Sequence, residues 1–375
     1  MPVERTILTF SHLRWDFVYQ RPQHLMSRLA GWARVLFVEE PEHTPDREPF
    51  WTISRPAPEL LVCRPHTPLA TPGFEGGQPQ ALIPLLRELL AEHQAGDLVA
   101  WLYTPLPLPA AQALEPRALV YDCMDELSAF LHAPPALLER EQELLASADL
   151  VFTGGPSLYR AKLGRNPQVF CFPSSVDAAH FRQALGGADE PADQAELPHP
   201  RLGFYGVIDE RLDPSLPAAL ADAHPDWQIV MVGPVVKIDP ATLPQRPNIH
   251  YLGQRSYAEL PGLLAGWDVC LLPFARNDAT RFISPTKTLE YMAAERPIVS
   301  TPITDVAEPY GDIVYLGDTP EQFVAACERA LASSPAERHE RTARMRTVLA
   351  RTSWDSTVQA MRDLVQSRLG EGDRG

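Results

Sequence analysis

Lysine is nearly missing from this chain. Only Lys162, Lys237 and Lys287 occur among 375 residues, and every other basic position is arginine. Basic residues are also the minority, 33 Lys and Arg against 48 Asp and Glu, for a formal net charge of -15. A chain this acidic repels a phosphodiester backbone, so sequence-independent nucleic-acid binding is not expected. Cysteine is scarce: Cys63, Cys123, Cys171, Cys270 and Cys327 are scattered, odd in number and without a Cys-x-x-Cys pair. That pattern argues against a structural zinc site and fits a reducing, cytoplasmic compartment. No apolar run approaches the ~20 residues that span a bilayer. The N-terminus has no basic stretch ahead of a long apolar one, so neither a transmembrane segment nor a secretory leader is expected. Gly-x-Ser-x-Gly, His-Glu-x-x-His, the P-loop and Gly-x-Gly-x-x-Gly are all missing. Hydrolase, zinc protease, nucleotidase and dehydrogenase readings therefore lack their necessary parts.

What is there alternates. Apolar, β-branched runs at 6–10, 35–38, 98–103, 118–121, 150–152 and 169–172 are separated by helical patterns at 22–30, 82–93 and 137–146. The alternation resumes with runs at 202–205, 229–232, 249–252, 269–272, 298–300 and 313–316. Strands separated by helices imply right-handed crossovers and mainly parallel sheets. The fold class is α/β, two Rossmann-like doubly wound domains facing a cleft, and the chain is long enough for two cores. Residues 1–185 form the first domain and 201–351 the second. Between them, residues 186–200 are rich in Gly, Pro, Ala and acids and read as a linker. The stretch 41–80 is Pro-, Gly- and His-rich and reads as an extended loop with one strand near 60–63. Helical spacing of Trp354, Val358, Met361 and Val365 marks 352–375 as a last helix, packing back towards the first domain.

The segment 284–290 carries the most chemistry. Ser284 suits an N-cap and Pro285 the first helical position, predicting a helix over 285–295. Ser284, Pro285, Thr286 and Lys287 then make its first turn, whose free amides and dipole favour an anion. Glu290 lies one turn beyond Lys287. The two also fit a surface pair worth roughly 0.2–0.5 kcal/mol, but with Lys N-terminal to Glu and at the wrong end of the dipole. A bound anion would offset both defects.

The run Leu289-Glu290-Tyr291-Met292-Ala293-Ala294-Glu295-Arg296-Pro297-Ile298-Val299 resembles the donor-binding signature of retaining glycosyltransferases of the two-Rossmann GT-B type, with Glu295 where glycine is usual. Other pieces follow in the family's order: Phe172-Pro173-Ser174-Ser175-Val176-Asp177, Leu202-Gly203-Phe204-Tyr205-Gly206, Val230-Met231-Val232-Gly233-Pro234, Tyr251-Leu252-Gly253 and Trp267-Asp268-Val269-Cys270-Leu271-Leu272-Pro273. The resemblance implies that Glu290 holds the ribose hydroxyls of a nucleotide, a task suited to an acceptor-only carboxylate. It also implies that Arg211, after the Gly206 turn, joins Lys287 in neutralising the diphosphate, with Lys237 as the alternative partner. Gly253, Gln254 and Arg255 are placed at the base. The family's Glu-x7-Glu is broken, because Phe282 stands at the first glutamate. Ser-Pro-Thr-Lys, together with Trp15-Asp16 and the run from Gln20 to His24, resembles the branch that includes teichuronic-acid and exopolysaccharide glycosyltransferases.

In the first half, the loop from His12 to Arg21 follows the first strand; Trp15, Asp16 and Arg21 are candidates to touch acceptor or donor phosphate. Asp122 and Asp125 end another strand and are candidates for an acceptor hydroxyl, Asp125 alternatively for a helix cap. No Asp-x-Asp pair sits at a strand end, so no metal and no cofactor is expected. The resemblance implies a retaining transferase that uses a UDP- or GDP-sugar as substrate and a glycan or lipid-linked acceptor, for cell-surface or extracellular polysaccharide. Such an enzyme would be cytoplasmic, with peripheral contact at the inner membrane face. Two alternatives stay open, a GT-B sugar-nucleotide 2-epimerase and a non-catalytic nucleotide-sugar-binding protein.

Overall fold

Aliphatic runs settle into parallel strands in a computed structural model of the protein, which describes residues 5–372. The outermost residues of the two expected end segments, 1–4 and 373–375, lie outside the described residues. The chain forms two units: 5–128, 132–173 and 354–372 make the first, and 129–131 with 174–353 the second.

The first unit is built on β1 (Arg5–Phe10), β2 (Arg34–Val38), β3 (Glu42–His43), β4 (Phe50–Ala57), β5 (Leu60–Thr67), β6 (Asp97–Leu102), β7 (Ala118–Cys123), β8 (Leu150–Thr153) and β9 (Val169–Cys171). Their order is β3-β5-β2-β1-β6-β7-β8-β9, with β4 on β5. In the central register Leu8 pairs with both Leu36 and Ala100. The central strands β1, β2, β6 and β7 are buried on both faces rather than alternating. The strand expected near 60–63 is β5, and the hairpin it forms with β4 corrects the reading of the rest of 41–80 as a loop. It escaped notice because β4 is an antiparallel edge strand exposed over residues 52–56, leaving no hydrophobic period to read. The last helix, Trp354–Gly372, buries Trp354, Val358, Met361, Val365 and Leu369 in the core that also holds Leu25 and Met26. Trp354 stacks on His24 at 4.7 Å between ring centroids.

The second unit is a parallel sheet of β10 (Arg201–Tyr205), β11 (Gln228–Val232), β12 (Ile249–Tyr251), β13 (Val269–Leu272), β14 (Ile298–Ser300) and β15 (Tyr315–Leu316), in the order β12-β11-β10-β13-β14-β15. One apolar cluster covers each face. Residues 186–200 are not free chain but are fastened to this unit. The buried Gln194 donates to Leu263 O (3.1 Å) and accepts from the Trp267 indole (2.7 Å). Arg201 donates to Leu197 O (2.8 Å) and pairs with Glu190. Composition suggested a linker because the anchoring is done by polar side chains. Among the described residues no helix is long and apolar enough to cross a membrane.

Candidate functional site

Three strands of the second unit run out into glycines with positive φ: Gly206 (139°), Gly233 (145°) and Gly253 (71°). The Gly206 amide donates to Val232 O and the Gly233 amide to Gly253 O, both at 2.8 Å, so the three turns lock together. Side chains have no room here. A Cβ on Gly233 would lie 1.8 Å from Gly206 O, and one on Gly206 would lie 2.2 Å from Lys287 Cε. The result is a floor of bare backbone at the carboxyl edge of the sheet, where ligands of doubly wound folds gather.

Lys287 crosses that floor from the helix Thr286–Ala293, its ammonium 5.8 Å from the Phe204 ring. The helix is shorter than the expected 285–295. Pro285 has φ -69° and ψ 121°, extended backbone, and is itself the cap, so Ser284 stands one position outside and makes no side-chain cap. Proline's fixed φ suits extended chain as well as a first helical turn. Lys287 remains in that first turn and Glu290 one turn on.

Glu290 is only 7% exposed, and the Tyr205 hydroxyl donates to its Oε2 at 2.6 Å. Burial pushes this carboxyl above its ordinary range, while Tyr205 and the charge of Lys287 pull it down. The Tyr205 hydroxyl is itself pushed well up, first by burial and then by Glu290. Tyr205 also donates its backbone N–H to the Tyr291 hydroxyl (3.4 Å), tying the end of β10 to the helix.

Arg211 is gripped by Asp209 through Nε (3.0 Å) and Nη2 (2.7 Å). Its guanidinium lies 5.2 Å from the Phe130 ring, and Lys237 Nζ lies 4.9 Å from the same ring. The Leu131 N–H beside that ring donates to Glu210 Oε1 at 3.0 Å. Gln254 is exposed in the turn after β12. Arg255 points elsewhere: its side chain pairs with Asp193 and, at 3.8 Å, Glu259. Its guanidinium is thus not presented to a base, because the acidic 186–200 segment packs alongside it.

Three candidates of the first unit prove to be interior. Asp122 is fully buried, its carboxylate 2.9 Å from Arg21 Nη2 and 3.0 Å from Nε. Burial pushes its carboxyl up and Arg21 draws it down. β7 runs on to Cys123, two residues further than expected, so Asp122 stays inside the sheet and both it and Arg21 are buried. Trp15 packs edge-on against Phe37 (5.0 Å), and its backbone N–H donates to buried Glu39 (2.7 Å). Its ring is core. Asp16 is exposed near Arg64, and half-exposed Asp125 lies close enough to Arg21 to strengthen that group's positive form. The element after Asp125 is a short 3-10 turn at Leu127–Ala129 rather than a full helix. Tyr205, which positions Glu290, and Phe130, which lies beside Arg211 and Lys237, were missed by the sequence reading. Tyr205 had a signal in its place just before Gly206; Phe130 had none.

The sequence model described as "Glycosyl transferases group 1" matches residues 201–333, which include the glycine turns, Lys287 and Glu290. The chain is 27% identical, over an alignment of 296 residues that covers 72% of each protein, to TuaH of Bacillus subtilis (strain 168), provisionally named a teichuronic acid biosynthesis glycosyltransferase. The sucrose-phosphate synthase of Thermosynechococcus elongatus superposes with TM-score 0.72 at 15% identity, covering 98% of this chain and 100% of that one. An E. coli structure titled as trehalose-6-phosphate bound with UDP-2-fluoro glucose gives 0.70 at 15% identity, covering 96% and 98%. Residues 201–333 thus match a group 1 glycosyltransferase domain, and the chain carries that domain within a fold of the GT-B type.

Proposed function

We propose that the protein moves a sugar, with retention and without metal or other cofactor, from a UDP- or GDP-sugar to a glycan or lipid-linked acceptor in cell-surface or extracellular polysaccharide synthesis. The work is done in the cytoplasm, at the inner membrane face when the acceptor is lipid-linked. One observation carries this reading: Lys287 lies across the bare glycine turns while Glu290, on the same helix, has its carboxylate oriented by Tyr205. The amides from Ser284 through Thr286 and Lys287 receive the diphosphate, and Arg211 supplies a second positive charge. Glu290 accepts from the ribose hydroxyls. Gly253 and Gln254 face the base, with Arg255 contributing backbone alone. The name given to TuaH supports the polysaccharide role. Support for a UDP-sugar comes from the E. coli structure bound with UDP-2-fluoro glucose.

No enzymic nucleophile is assigned. The acceptor hydroxyl attacks on the face the diphosphate leaves, and the departing diphosphate takes the proton. Catalysis is then positioning together with charge stabilisation of the leaving group. Asp16 and Asp125 remain to steer the acceptor, while Trp15 and Asp122 act from inside as supports.

Incubation with UDP- and GDP-sugars and a glycan or lipid-linked acceptor, read by nucleotide release and by NMR of the new anomeric centre, tests the reading directly. Transfer with retained configuration is expected, and Lys287→Ala or Glu290→Ala should weaken donor binding by about tenfold or more, the worth of a hydrogen bond to a charged group. Epimerised donor formed without acceptor would favour the epimerase, and tight donor binding with no transfer to any acceptor would favour a binding protein.

A further inference from the structure

At the opposite, amino edge of the second sheet lies a pocket of about 310 Å³, lined by Asp268 ahead of β13, Glu295, Arg296 and Pro297 ahead of β14, and Arg338 and Arg341. Its charges do not balance. Asp268 is occupied by His199 (2.6 Å) and the Arg201 amide (2.7 Å), and Glu295 by Arg346 (2.7 and 3.0 Å). Arg341 pairs with Glu337 (3.1 Å) and stacks on Tyr315. Arg296 and Arg338 have no such partner. Arg296 donates one Nη to Ala265 O (2.9 Å), and its Nε is buried without an acceptor among the described residues. Arg338 donates to Ser333 Oγ and Leu331 O, both at 2.9 Å, and neither arginine meets a carboxylate among the described residues.

Two guanidiniums on one pocket, uncompensated in a chain of net charge -15, set up a local positive field against the sign of the whole. The planar fork of arginine matches the oxygens of a phosphate. The volume lies at the small end of ligand pockets, enough for a phosphate and an attached group about the size of a sugar.

We propose that this pocket is a second anion site, which binds a phosphate monoester between Arg296 and Arg338. It stands apart from the proposed donor site: the helix Thr286–Ala293 presents Lys287 in its first turn, whereas Glu295 and Arg296 follow its last. Binding at the pocket does not depend on the donor assignment.

The test is made in full-length protein carrying Lys287→Ala, which silences the proposed donor site. Inorganic phosphate is titrated calorimetrically at constant ionic strength, and vesicles of phosphatidylcholine with and without phosphatidic acid are co-sedimented. Saturable binding is expected to persist in Lys287→Ala and to weaken about tenfold or more when Arg296→Gln and Arg338→Gln are added. Arginine-dependent binding of free phosphate identifies a soluble ligand; arginine-dependent retention on phosphatidic acid alone identifies a lipid headgroup, and the site stands in either case. Should Arg296→Gln fail to fold, Arg338→Gln, on an exposed side chain, carries the same comparison. Phosphate and vesicle binding that is absent, or unchanged by both arginine variants, would overturn the proposal.

Discussion

Single side chains in this protein divide between those that hold and those that are held. Glu290 is held: Tyr205 fixes one carboxylate oxygen and opposes the effect of burial. Tyr205→Phe removes that hydroxyl and leaves the carboxyl higher still. Donor binding should then fall by about tenfold, and its loss on acidification should set in at higher pH than in the wild type, as calorimetric titration across pH would show. Glu290→Gln separates binding from stability. The folded-state pKa of Glu290 is raised above its usual 4.5, so the stability this group contributes is present below that value and lost as pH rises through the raised one. The glutamine variant should therefore bind donor more weakly yet resist urea better at neutral pH, with the stability gain vanishing as pH approaches the usual value. Asp122 makes the contrary case. Asp122→Ala strands the Arg21 guanidinium in the interior and should cost about 3–5 kcal/mol in urea unfolding, a loss of fold rather than of acceptor affinity. From sequence, Asp122 and Asp125 looked alike, each an acid near a strand end. The strand runs two residues further than expected, taking in Asp122 and stopping short of Asp125, and nothing in the letters marks where it stops.

Among the elements, the helix Thr286–Ala293 shows how much local chemistry says and where it falls silent. Its place, its partner strand and the spacing of Lys287 and Glu290 were all legible, because proline, polar caps and apolar periodicity are local signals. The first residue was not, since proline serves extended chain and helix start equally well. Its exit is unusual. Glu295 occupies φ 53°, left-handed backbone where glycine is at home, and its carboxylate is clasped by Arg346. Strain of about 1 kcal/mol is then set against an exposed ion pair worth about 0.2–1 kcal/mol. Glu295→Gly should change stability by less than about 1 kcal/mol, while Glu295→Val, which keeps the strain and loses the pair, should be clearly the worse of the two in the same denaturation series. β4 was illegible for another reason: an edge strand exposed on both faces carries no alternation to detect.

Across the whole molecule, the first unit depends on the far end of the chain. Met361 is fully buried in its core, and Met361→Ala should destabilise that unit by about 2–5 kcal/mol, a loss that calorimetry would assign to one unfolding transition and not the other. The two α/β units were readable because alternation of strand and helix runs through the entire sequence. The course of the chain between them was not: residues 129–131 join the second unit and 354–372 return to the first, through contacts remote in sequence. That return has a consequence for biosynthesis. A nascent chain leaving the ribosome displays 174–353 in full before the closing helix of the first unit exists. The half that begins first is therefore the half that finishes last, and until that helix emerges it leaves bare the apolar patch around Leu25 and Met26 that Trp354 and Met361 later cover.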